Sequence, residues 1–77
     1  MTDQLIDVFA EVLEVDPGEL NEDSSPDTVE NWDSLSAMHL VSAIEQNFSV
    51  KLSTREMMKM VTIGLARDTL RNKGVDI

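Results

Sequence analysis

In TDQLIDVFAEVLEV the apolar residues fall at positions 5, 6, 8, 9, 12 and 13, the spacing of a helix with one buried stripe. Thr2 is placed to cap this helix, and Asp3 suits the positive end of its dipole. The pattern breaks at DPGEL, residues 16–20, where Pro17 keeps Asp16 out of helical geometry and Gly18 supplies a turn. From Asp16 to Asp33 the chain is polar and acidic, with Leu20, Val29 and Trp32 as scattered apolar residues. Those three are expected to pin a long loop to the core, with a short helical turn after Ser25-Pro26. Helical spacing returns at Leu35, Met38, Val41, Ile44 and Phe48, predicting a second helix from Asp33 or Ser34 to about Phe48. Ala37 and Leu40 widen its stripe.

Ser53-Thr54-Arg55-Glu56 reads as a capping box, in which Ser53 accepts from the N3 amide and Glu56 reaches back. It opens a short third helix carrying Met57, Met58 and Met60. Thr62 then caps a last helix from Ile63 to about Asn72, with Ile63, Ala66 and Leu70 inward and Gly74 just past its end. Only VKL, residues 50–52, could be briefly extended, and no strand-like alternation or repeat occurs. The expected fold is all-α: a small irregular four-helix bundle, three longer helices and one short, with a long loop between the first and second. One domain over residues 1–77 is expected.

At 77 residues the chain buries roughly 60 to 65% of its unfolded surface, so its core is thin. The lack of cysteine removes disulfides, thiolate chemistry and Cys-based zinc sites, and makes a cytoplasmic setting the expectation. The N-terminus has two acids, Asp3 and Asp7, within its first seven residues and no basic stretch, so no signal peptide is expected, nor is any apolar run long enough for a membrane span. Charge is polarised: residues 1–33 hold 11 of the 15 acids and no Lys or Arg, whereas all six bases lie between Lys51 and Lys73. Such an anionic half repels nucleic-acid phosphates and either attracts partners with basic patches or simply keeps a small domain soluble.

Catalysis finds little support. Ser34, His39 and Asp33 are triad ingredients, but Ser34 and His39 are five positions apart on one helix and project about 140° apart. The glycines of a nucleophile elbow are missing around Ser34. One histidine without cysteine leaves few transition-metal ligands, and the acidic loop lacks the ligand alternation of a calcium loop. The three glycines, at 18, 64 and 74, form no phosphate-binding loop. What stands out is a serine in the first turn of the most apolar helix, where unpaired amides and the helix dipole stabilise an attached anion. The plainer alternative is that Asp33 or Ser34 serves only as the helix cap.

Asp33-Ser34-Leu35 opening a long apolar helix, the acidic VDPGELNEDSS before it, and the Ser53–Ile63 segment before a last short helix together resemble an acyl carrier protein. The resemblance covers nearly the whole chain. It implies that Ser34 is esterified by the phosphate of 4′-phosphopantetheine, transferred from coenzyme A by a separate phosphopantetheinyl transferase using magnesium. The arm's thiol, not a protein side chain, would then carry the acyl group as a thioester, in a carrier that is not an enzyme and holds no metal of its own. Asp33 would lie beside the phosphodiester and engage the transferase, as well as capping the helix, and Leu35 completes the motif. The apolar residues Leu35, Val41, Ile44, Phe48, Met57 and Met60 would either line a pliable acyl cavity or serve only as core. Implied partners are the transferase and acyl-loading and acyl-transfer enzymes with basic docking patches, meeting a monomer at Met38 and Glu45.

The chain also departs from fatty-acid-synthesis carriers. Where those place acids along the exposed face of the second helix, this chain has Ser36, His39 and Gln46, leaving Glu45 as the only acid after Asp33. Protonation of His39 would further oppose docking to basic patches. Asn31-Trp32 replaces small residues before the serine, with Trp32 expected to pack beneath the loop. These differences point to a dedicated lipid, polysaccharide-modifying or secondary-metabolite route. A carrier of amino or aryl acids and an unmodified acidic interaction module are the alternatives.

Overall fold

In the computed structural model, which describes residues 3–77, α1 (Gln4–Leu13) is started by Asp3, whose carboxylate accepts from the amides of Leu5 and Ile6 at 3.1 and 3.3 Å. Thr2, the expected cap, lies outside the described residues. The helix ends before Pro17 can act on it. Glu14 is left-handed at φ 58°, and the amides of Glu14 and Val15 both bond to the Ala10 carbonyl. Pro17 instead opens one 3₁₀ turn, Pro17–Glu19, which Asp16 caps through the Gly18 amide at 2.8 Å.

Three further helices follow: α2 (Ser34–Phe48), α3 (Thr54–Lys59) and α4 (Ile63–Asn72), with no strand among the described residues. The core centres on α1, which packs against both α2 and α4, while α3 packs against α4. Leu5, Phe9 and Leu13 from α1 meet Ile44, Ile63 and Leu70, all six fully buried. No helix among the described residues is long and apolar enough to cross a membrane.

The stripe expected on α2 is off-centre. Leu40 and Ile44 are buried with Ala37, Val41 and Phe48 partly buried, but Leu35 and Met38 are 66% and 69% exposed. The reason is that α1 covers one side of α2, while the six-residue α3 packs against α4 and leaves the first turns of α2 open. Residues 50–52 are irregular rather than extended into a strand, with Leu52 buried.

Leu20, Val29 and Trp32 do tie the loop down, each being buried. Thr28 and Val29 close one helical turn onto the Ser25 carbonyl, at 3.0 and 2.8 Å. Trp32 meets Phe9 edge-on, with ring centroids 5.2 Å apart, and Asn31 donates its side-chain amide to the Leu13 carbonyl at 2.9 Å. Further back, the loop seats itself on α4. The carbonyls of Glu22 and Ser24 accept from Gly64 and Ile63, satisfying first-turn amides that the helix itself leaves unpaired. Gly64 permits this approach, because a Cβ there would lie 3.1 Å from the Glu22 carbonyl oxygen.

Beside that contact, Arg67 of α4 is buried and donates to both oxygens of Glu22, at 2.6 and 3.0 Å, and to Asp3 at 2.5 Å. The Glu22 carboxylate raises the Arg67 pKa against the opposing effect of burial, with Asp3 adding to it. For Asp3, burial acts upward but is outweighed by the Arg67 hydrogen bond and the helix amides, so its carboxyl stays below the usual range. At the other end, the expected caps are present. Ser53 and Glu56 exchange hydrogen bonds at 3.2 and 2.9 Å, Thr62 accepts from Leu65 at 3.0 Å, and Gly74 is left-handed at φ 92°. Lys73 pairs with Glu56 at 2.9 Å, joining the end of α4 to α3.

Candidate functional site

The start of α2 is built by the three residues before it. Trp32 and Asn31 anchor the loop to α1, so Asp33 enters the helix in an extended conformation, φ −125° and ψ −170°. Its Oδ1 accepts from the Ser36 amide at 2.9 Å, and the Ser36 hydroxyl accepts from the Asp33 amide at 2.8 Å, completing a capping box. The Ser36 hydroxyl also donates to the Asn31 carbonyl at 2.7 Å. Chiefly through the Ser36 amide, the Asp33 carboxyl is held below its usual pKa, so it is ionised at neutral pH.

The two serines of Ser34-Leu35-Ser36 therefore have different occupations. Ser36 is consumed by the cap; Ser34 is exposed, and no hydrogen bond engages its hydroxyl among the described residues. As the first residue of a fifteen-residue helix, Ser34 stands beside its own amide and that of Leu35, neither of which has an intrahelical acceptor. The helix dipole adds positive potential at the same point. A phosphate ester on Ser34 would thus be reachable from solvent, with the first-turn amides and the dipole offsetting the charge of the neighbouring Asp33. The residues present fit such a group.

Next to this mouth opens an apolar cleft of about 200 Å³ between α2 and α3, lined by Phe9, Trp32, Ala37, Met38, Leu40, Val41, Thr54, Met57, Met58 and Met60. Of the residues named from the sequence for a cavity, Val41, Met57 and Met60 are on its wall. Ile44 and Phe48 are not: Ile44 is fully buried in the core and Phe48, at the far end of α2, packs partly buried against it. Leu35 points to solvent at the mouth rather than into the cleft. Trp32 and Phe9 were not anticipated there. The available signal was position, since a tryptophan directly before Asp33 must lie near whatever Ser34 carries.

Met38 is exposed on the cleft rim. Glu45 is committed within the fold: its Oε2 accepts from the Leu52 amide at 2.8 Å, holding the turn after α2. His39 borders a groove on the α1 side of α2, away from the cleft. Among the described residues no cluster of three or more His, Asp or Glu side chains could hold a metal ion.

A family model described as the phosphopantetheine attachment site matches residues 3–66, most of the chain, and the chain belongs to that family. Its domains carry covalently attached 4′-phosphopantetheine and act as carriers, not as catalysts.

Proposed function

We propose that this chain is an acyl carrier protein bearing 4′-phosphopantetheine on Ser34, serving a dedicated lipid or secondary-metabolite pathway. The observation that carries the assignment of Ser34 is the division between the serines: the helix cap is already complete through Asp33 and Ser36, leaving Ser34 exposed and unengaged. Attached there, the arm supplies the thiol that this cysteine-free chain lacks, for carrying acyl groups as thioesters. Asp33 holds the first turn in place and keeps a negative charge beside the attachment point, with Oδ2 in no hydrogen bond among the described residues and so available to the transferase and its magnesium. Leu35 and Met38 give that transferase an apolar foothold.

The cleft is proposed as the acyl shelter, with Val41, Met57 and Met60 as flexible walls and Trp32 at its depth. Its volume of about 200 Å³, open to solvent on one side, gives room for an apolar chain of limited length. This favours short and medium acyl chains. The edge-on Phe9–Trp32 pair on the same wall favours an aryl acid as the second reading. A dedicated route is supported by α2, whose only carboxylate after Asp33 at its start is Glu45, bonded through Oε2 to the Leu52 amide.

The test is the intact mass before and after incubation with coenzyme A, magnesium and a broad-specificity phosphopantetheinyl transferase. The expected result is a gain of one phosphopantetheine, mapped to Ser34 and absent in Ser34→Ala. A folded wild-type protein that gains nothing beside a working control carrier overturns the assignment and favours an unmodified interaction module.

A further inference from the structure

Three of the six bases are committed inside the fold. Arg67 and Lys73 are ion-paired, and Arg71 donates to the Ile77 carbonyl at 2.7 Å. The other three, Lys51, Arg55 and Lys59, are exposed and have no salt-bridge partner among the described residues. All three fall in the turn after α2 and along α3. Of the acids of that same region, Glu56 is paired with Lys73, and Glu45 accepts from the Leu52 amide. From Ser34 to Thr62 the three bases stand against two acids, Glu45 and Glu56, so this stretch is net cationic, although residues 1–33 hold 11 acids and no base. The bases begin only after the attachment helix, at Lys51.

That cationic strip adjoins an apolar surface. On α3, Thr54, Met57 and Met58 face the cleft, and Met58 is 74% exposed. Arg55 and Lys59 lie one turn apart on the neighbouring face, flanking Met58. Across the cleft stand Leu35 and Met38, both mostly exposed.

We infer that this α2–α3 face docks a partner protein presenting an apolar ridge bordered by carboxylates, the carboxylates lying against Arg55 and Lys59. The inference rests on the carrier reading, and it reverses the basic patch that the net charge of −9 invites. At physiological ionic strength a charge acts over about 8 Å, so a docked partner answers the local sign and not the net one. Basic groups beside Asp33 and acidic groups beside α3 would also fix the partner's orientation on the helix pair. An anionic bilayer suits the face less well, because the acidic half of the chain is repelled from it.

Two synthetic amphipathic helical peptides with the same leucine stripe, one flanked by Glu and the other by Lys, provide the test against the isotope-labelled full chain. The Glu-flanked peptide is expected to shift the backbone resonances of Met38, Arg55, Met58 and Lys59. Its affinity should fall about tenfold in Lys51→Glu/Arg55→Glu/Lys59→Glu, and by less in the triple Gln variant. Circular dichroism verifies that both variants fold.

Absence of shifts on this face, equal affinity for wild type and the Glu variant, or preference of the face for the Lys-flanked peptide would overturn the inference. Stronger binding of the same residues to phosphatidylglycerol vesicles would replace the protein partner by a lipid surface. Concentration-dependent self-association lost in the Glu variant would replace it by a second copy of this chain. Mass gain on Ser34 tests the carrier reading separately. Modification without peptide binding sinks the docking surface alone, and peptide binding without modification sinks the carrier reading alone.

Discussion

Replacing Arg67 by methionine keeps most of the apolar stem but deletes the guanidinium that joins α4 to the start of α1 and to the long loop. Three hydrogen bonds are lost, at 2.5, 2.6 and 3.0 Å. A hydrogen bond to a charged group contributes about 1.5–3 kcal/mol when sheltered. Here the carboxylates of Asp3 and Glu22 are 38% and 52% exposed, so solvent screening brings each contact toward the ~0.2–1 kcal/mol of exposed pairs. The three together then contribute about 2 kcal/mol. For a chain of this length that corresponds to a fall in Tm of roughly 8–16 °C, read by far-UV circular dichroism at pH 7 and low salt.

The pH dependence has a definite sign. Asp3 is held below its usual value of 3.8 in the folded chain, so its contribution is present above that value and is lost as pH falls through the lower folded one. Arg67 is raised, so it stays protonated and stabilising throughout this range. The gap between wild type and Arg67→Met must therefore narrow below about pH 3.8. A variant melting within about 2 °C of wild type at neutral pH, or a gap that does not change on acidification, would refute the staple as a source of stability.

Ser36→Ala removes the hydroxyl that completes the α2 cap and should lose about 1 kcal/mol, or about 4–8 °C, while still accepting phosphopantetheine; Ser34→Ala should show the opposite pair of results in melting and mass measurements. The lone tryptophan reports on the cleft. Its emission should change as the acyl chain on the arm lengthens, and invariance at every length would remove the cleft as the acyl shelter. With 11 acids and no base in residues 1–33, added salt or magnesium should raise Tm, and indifference to both would mean that these acids are better compensated than Arg67 alone explains.

The mouth of α2 was legible in outline because Asp33-Ser34 at the start of a periodic apolar run is a local feature. Which serine is free was less so, since the cap uses Ser36 in the place where Glu or Gln would advertise a capping box. The stripe on α2 misled for a different reason. Leu35 and Met38 continue the helical spacing as well as any core residue, and composition cannot distinguish an apolar side chain that is buried from one left at a rim. Arg67 carried no signal: a basic residue between apolar positions of the last helix reads as solvated until a partner is brought to it.

The sequence by itself determined the helices and their ends, because caps and periodic stripes depend on neighbours within about four residues. Asp33, Ser53, Thr62 and Gly74 do their work inside that range. Only the tertiary structure decided what those helices enclose. Arg67 meets Glu22 and Asp3 across 45 and 64 positions, the loop carbonyls find α4, and Trp32 reaches Phe9. The cleft exists because a six-residue α3 leans on α4 and leaves the first turns of α2 uncovered. Such long-range closures follow from how the faces pack against one another, and no short window of the chain contains both partners.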